Sequence, residues 1–166
     1  GFTYRTYFKQ RYWDLNNPMA GSRRNRLENY VGLFLQQKFN DKIDFTADGE
    51  YLVGSDYRLQ ASFISPFFQV KACRTSISPS IAQNWTYNAA FRWNQSFENI
   101  LFDELTGTLN LHSKNIYFRP TATIQRMGNY AYFDTLATAK QTTDAIGVFR
   151  TGFSAGGTFK RFEWSA

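Results

Sequence analysis

The chain has 166 residues and a net charge of +6, with 19% charged and 19% aromatic residues, whereas average soluble domains carry roughly 25% charged residues. No stretch approaches the ~20 apolar residues that a spanning helix needs; the longest candidate, Tyr30 to Leu35, is far too short, which excludes a helical membrane protein. A single cysteine, Cys73, excludes an internal disulfide, and a single histidine, His112, excludes every two-histidine zinc motif.

Phe, Tyr and Trp number 17, 10 and 4, so rings outnumber the 13 carboxylates. A soluble domain of this size would have trouble hiding them. Mean hydropathy is nonetheless below zero. Strands that alternate apolar and polar residues give both properties at once, because a membrane barrel places rings in a lipid-facing band and in interfacial girdles.

Alternation begins at the first residues. Phe2 to Trp13 alternates, with Arg5, Lys9 and Arg11 sharing a face. Asn16 to Asn25 reads as a long link, and Arg23, Arg24 and Arg26 as a solvated basic cluster beside a turn or a contact for anionic lipid phosphates. Asn29 to Phe39 alternates weakly, because Phe34 falls on the polar side. After a tight turn at Asn40-Asp41, Lys42 to Val53 is the cleanest strand. Ile43, Phe45, Ala47, Gly49, Tyr51 and Val53 fall on one face, and Lys42, Asp44, Thr46, Asp48 and Glu50 on the other. A short link, Gly54-Ser55-Asp56, leads to Tyr57–Phe63, whose polar side carries Arg58.

A tight turn at Ser65-Pro66 and a long link from Ser78 to about Phe97 follow. Leu105, Gly107, Leu109 and Leu111 then oppose Glu104, Thr106, Thr108 and Asn110. A turn at His112–Asn115 precedes Ile116 to Gln125, where Arg119 is on the polar side. Pro120 lies inside this strand although proline cannot donate to a ladder, so a bulge or a local edge is expected there. A long link from Asn129 to Ala145 leads to Phe149–Phe159, with Arg150 on the polar side, and Lys160-Arg161 reads as a final tight turn. The pattern predicts about eight strands of ~9–12 residues, the length of a tilted spanning strand. Short turns alternating with long links is the outer-membrane arrangement, with the short turns periplasmic. Trp13, Trp85, Trp93, Tyr130 and Tyr132 are expected near strand ends, as an interfacial aromatic belt. The isolated Cys73 is expected to pack as a small apolar residue.

Three segments carry a resemblance: Gly54-Ser55-Asp56-Tyr57-Arg58-Leu59; Phe91-Arg92-Trp93-Asn94 with Phe97; and Gly128-Asn129-Tyr130-Ala131-Tyr132-Phe133-Asp134. In these residues and their order the chain resembles the "putative porin" family of Bacteroidetes outer membranes, from about Leu27 to the end. The resemblance implies an all-β, antiparallel up-and-down transmembrane β-barrel located in the outer membrane. Family members are much longer, so the chain is expected to be a single segment, residues 1–166, of a larger barrel. Barrels of this kind usually end on an aromatic residue, and Ala166 departs from that.

No catalytic residue, cofactor or metal is expected. His112 lacks a nucleophile elbow beside it, and no phosphate loop or dinucleotide glycine pattern is present. Asp44, Asp48 and Glu50 could bind calcium or form an acid–base pair, but on one strand face they read first as a solvated lumen wall. The candidate lumen-lining residues are acidic (Asp44, Asp48, Glu50, Glu104) and basic (Arg5, Lys9, Arg58, Arg119, Arg150). Opposed walls of this kind would orient solutes crossing a pore. The leading expectation is a porin-like barrel for passive diffusion of small polar solutes or ions. The alternatives are a structural barrel subunit of a cell-envelope or secretion complex and a soluble ligand-binding β-barrel. The expected partners are outer-membrane lipid, lipopolysaccharide and other envelope subunits. Nucleic acid is not expected, because the aromatic and charged faces are mostly opposite.

Overall fold

The computed structural model describes residues 1–17, 22–79, 84–87, 92–159 and 162–165, with the side chains of residues 11, 13–17, 22–26, 85–87, 92–94, 159 and 162–163 outside that description. The strands run β1 (Phe2–Asn17), β2 (Ser22–Asn40), β3 (Ile43–Leu52), β4 (Tyr57–Ile64), β5 (Phe68–Ile77), β6 (Trp85–Tyr87), β7 (Arg92–Asn94), β8 (Ile100–Leu109), β9 (Leu111–His112), β10 (Ile116–Gly128), β11 (Ala131–Phe133), β12 (Ala139–Gln141), β13 (Ile146–Phe159) and β14 (Phe162–Ser165). One sheet takes the long strands in chain order, β1-β2-β3-β4-β5-β8-β10-β13-β14, with β9 beside β10. Every pairing is antiparallel. The expected all-β, up-and-down arrangement is therefore present. The sheet itself is open, since β1 and β14 do not pair with each other.

The tight turns follow from local chemistry. At Asn40-Asp41 the Asn40 side chain accepts from the Lys42 backbone N–H (2.9 Å), an Asx turn. The Ser65–Phe68 turn is closed by the Ser65 N–H donating to the Phe68 carbonyl (2.9 Å) and by the Phe68 N–H donating to Ser65 Oγ (3.0 Å). Gly54 takes a φ of 103° beyond β3, a conformation open to a residue without a Cβ. The His112–Asn115 turn is present, with His112 already paired to Tyr117. Lys160-Arg161 lies outside the described residues.

At the end that also carries the Gly54 turn, two long links stand as expected, and each holds a short hairpin that alternation did not show. β6 pairs with β7, and β11 with β12. The expected long link from Asn16 to Asn25 is corrected. Asn16 pairs with Arg23 and Asn17 with Ser22, so β1 and β2 continue to 16 and 19 residues. Turn-prone residues extend a ladder when each finds its partner across a hairpin. The basic cluster Arg23, Arg24 and Arg26 is for the same reason in a strand backbone rather than a loop.

Pro120 sits within β10 without a bulge. It pairs with Phe153 on the β13 side. On the other side, Phe118 pairs with Leu111 and Thr121 with Thr108, while Arg119 and Pro120 are unpaired. The pairs on either side of that gap keep one register. The ladder simply opens where proline has no N–H to give.

Almost nothing apolar is enclosed. Among the described residues the buried apolar side chains are Leu52, Ala131 and Ala139.

Candidate functional site

The register decides which side chains share a face, because directly paired residues point the same way. One row runs Arg5, Phe34, Asp48, Gln60, Cys73, Glu104, Gln125, Val148 across β1 to β13. The next runs Tyr7, Gly32, Glu50, Arg58, Thr75, Phe102, Met127. Lys9 pairs with Tyr30, Asp44 with Ile64, Thr123 with Arg150, and Arg119 with Ser154, all with the same parity. The nine residues Arg5, Lys9, Asp44, Asp48, Glu50, Arg58, Glu104, Arg119 and Arg150 therefore stand on one face. They interleave there instead of forming separate acidic and basic walls. Glu50 is directly beside Arg58, and Arg5 shares a row with Asp48 and Glu104.

Polar contacts knit this face across strands. The Tyr7 hydroxyl donates to Glu50 Oε2 (2.9 Å). Gln36 donates to Asp44 Oδ2 (2.8 Å), while Asp44 Oδ1 is buried without a hydrogen-bond partner. Gln125 donates to Glu104. Hydroxyl pairs join Thr46 to Ser62 (2.8 Å), Thr106 to Thr123 (3.1 Å) and Thr108 to Thr121 (3.1 Å). The Lys9 ammonium stands 5.1 Å from the Tyr30 ring centroid, and the Arg119 guanidinium 5.1 Å from that of Tyr117. Two tyrosines lie over glycines on the adjacent strand. A Cβ on Gly32 would meet Tyr7 Cζ at 2.1 Å, and one on Gly156 would meet Tyr117 Cε1 at 2.6 Å. Glycine is the residue that lets each ring cross its neighbouring strand.

Alternation missed part of this face. Lys71 and Cys73 belong to it through β5, where Lys71 pairs with Ser62 and Cys73 with Gln60. The expectation that Cys73 packs as an apolar residue is corrected: it is half-buried, with Sγ 3.5 Å from Thr75 Oγ1. Among the described residues no three His, Cys, Asp or Glu side chains gather closely enough to hold a metal ion.

The opposite face is apolar and uncovered. Leu33 is 44% exposed, Leu105 48%, Ile124 56% and Phe153 67%. In β10 the polar-face residues Thr121, Thr123 and Gln125 are by contrast half-buried.

The residues expected to form an aromatic belt lie at the end of the long links. Trp13 is in β1 and pairs with Arg26, whereas Trp85, Trp93 and Tyr132 stand in the short hairpins of the links. Tyr130 and Tyr132 stack at 6.2 Å with an interplanar angle of 11°. The side chains of Trp13, Trp85 and Trp93 lie outside the description. The β11–β12 hairpin is fastened to the sheet end. Gln141 Nε2 donates to the Glu98 and Asn129 carbonyls (2.7 and 2.8 Å), and Asn129 Nδ2 donates to the Asn99 carbonyl (3.1 Å). Within it, the Thr138 backbone N–H and the Lys140 ammonium (2.9 Å) hold the Asp134 carboxyl below the usual carboxylate range.

The fold and its two unlike faces define an all-β wall of antiparallel, up-and-down strands, polar on one side and apolar on the other. The chain belongs to the "Putative porin" family, whose profile matches residues 2–166. No curated protein and no solved structure matches it.

Proposed function

We propose that the chain forms wall of an outer-membrane β-barrel channel, through which small polar solutes or ions diffuse passively. The observation that carries this reading is the uncovered apolar face set against the charged, hydrogen-bonded one. Water on both sides would leave Leu105, Ile124 and Phe153 exposed at a cost of about 25 cal/mol per Å² of apolar surface. Lipid on that side removes the cost. A ten-residue strand is ~34 Å long and at ~40° tilt covers ~26 Å, close to the ~25 Å apolar band of such barrels. Family membership supports the same reading. No helix among the described residues is long and apolar enough to cross a membrane, so strands would do the crossing.

On this reading Asp44, Asp48, Glu50 and Glu104 attract cations along the lumen, and Arg5, Lys9, Arg58, Arg119 and Arg150 attract anions. The test is conductance of the detergent-extracted full-length protein in a planar bilayer. Stepwise channels are expected, and Asp44→Asn with Asp48→Asn should lower cation preference. Unchanged preference would remove the acidic residues from the selectivity argument.

One observation favours a second reading, a structural barrel in an envelope complex. The fastened β11–β12 hairpin presents Tyr130, Phe133 and Leu136 outward, with Leu136 77% exposed. Silent bilayers from well-folded protein, together with co-purifying envelope subunits, would select it.

A further inference from the structure

Among the described side chains the apolar face has one charged interruption. Arg74, Asp103 and Arg126 are direct cross-strand partners in a single row over β5, β8 and β10. Arg74 Nε lies 3.5 Å from Asp103 Oδ1, and the two side chains are 56% and 42% exposed. One carboxylate stands between two guanidiniums, so the row keeps a net positive charge. Its depth is informative. Arg74 is three residues from the strand end at Ile77, Asp103 three from Ile100, and Arg126 two from Gly128. At ~3.4 Å per residue this is roughly 7–10 Å from the long-link end of the sheet, near the head-group zone and away from mid-bilayer.

Beside the row the sheet surface dips. Ala47, Ala61 and Ala72 are direct partners on β3, β4 and β5, flanked in the same row by Leu35 and Leu105. The resulting hollow of about 610 Å³ is bordered by both the alanines and the two arginines. Ligand pockets commonly span ~300–1,000 Å³. An apolar trough ending at two guanidiniums, one on each side of Asp103, matches one chemistry, an acyl chain carrying a phosphate, since guanidinium binds phosphate oxygens in a planar fork.

We propose that this trough is a binding site for a phosphate-bearing lipid of the leaflet on the long-link side, with an acyl chain over Ala47, Ala61 and Ala72 and the phosphate held from outside the row by Arg74 and Arg126, the guanidiniums on either side of Asp103. The site rests on the membrane-wall reading above, because it needs the apolar face in lipid.

The experiment places the full-length protein in phosphatidylcholine nanodiscs doped with lipid A and counts retained lipid by native mass spectrometry. Wild type should retain lipid A in preference to phosphatidylcholine. The pair Arg74→Gln and Arg126→Gln should weaken retention by about tenfold or more, the scale of losing one charge-assisted hydrogen bond. Ala61→Phe fills the trough with both arginines intact and should weaken it as well. Insertion and folding are checked by circular dichroism and by heat-modifiable gel mobility. Unchanged retention by the inserted, folded double variant overturns the site while leaving the membrane wall standing. Displacement of lipid A by inorganic phosphate alone, with no effect of Ala61→Phe, overturns it too, since the trough would have no part. Protein that leaves the nanodiscs and stays soluble without detergent overturns both.

Discussion

Replacing Gly32 by alanine tests the cross-strand packing of the polar face at one atom. The new Cβ would fall 2.1 Å from Tyr7 Cζ and 2.4 Å from Cε1, so the ring must swing away. Tyr7, Gly32 and Glu50 share a row, and the ring crosses β2 over Gly32 to reach Glu50 on β3 at 2.9 Å. Swinging away breaks that bond. A hydrogen bond to a charged group contributes ~1.5–3 kcal/mol, and the partly exposed setting argues for the low end. A displaced rotamer adds roughly 1 kcal/mol, and replacing a strand glycine returns about 0.5 kcal/mol. The expected net loss is therefore about 2 kcal/mol in urea unfolding of the detergent-folded protein. Tyr7→Phe should lose only the hydrogen bond, ~1.5 kcal/mol or less. In a Tyr7→Ala background Gly32→Ala should be neutral or slightly stabilising. An equal loss in both backgrounds would refute the account, since the clash would not then be with Tyr7.

Other outcomes follow from particular contacts. Asp134 is held below the usual carboxylate range by the Thr138 N–H and then by Lys140; its contribution should be complete above the ordinary value of about 4 and fade as pH falls below it. Amide exchange at Leu136 and Thr138 should rise over that acidic window in wild type and show no such step in Asp134→Asn. Asn99 Nδ2 donates to the Ser55 carbonyl (2.9 Å) and Ser76 Oγ (3.0 Å), tying the β3–β4 turn to β5 and β8. Asn99→Ala should cost about 1–2 kcal/mol in the same unfolding assay, because Ser76 is buried. Pro120→Val should close the gap between β8 and β9, gaining about 0.5–1 kcal/mol and slowing amide exchange at residues 109 to 111. Unchanged exchange there would mean that the proline is not what opens the ladder.

Legibility tracked how strictly each strand alternates. Lys42 to Val53 could be read outright, because carboxylates and large apolar residues trade places at every step. Nine charged residues of the polar face followed from the same parity, and the register puts all nine on one side. β5 does not alternate cleanly, since Arg74 and Ser76 fall on its apolar side, so its sequence alone does not put Lys71 and Cys73 on the polar face. The ends of β1 and β2 read locally as a link, because Asn, Pro, Gly and Ser favour turns, yet they pair with each other. The Tyr7–Gly32 and Tyr117–Gly156 contacts depend on register, which one strand's sequence does not carry. The dip at Ala47, Ala61 and Ala72 is hidden for the same reason.

Site-directed nitroxide labelling of β10 in the membrane tests the central claim most directly. With Cys73→Ser as background, labels at residues 121 to 126 would be scored for collision with dissolved oxygen, which concentrates in lipid, and with a water-soluble nickel chelate. The account predicts two period-2 patterns out of phase. Residues 122 and 124 should favour oxygen, and 121, 123 and 125 the chelate. Equal accessibility along the strand, or chelate contact at 122 and 124, would contradict a wall with lipid on one side and water on the other.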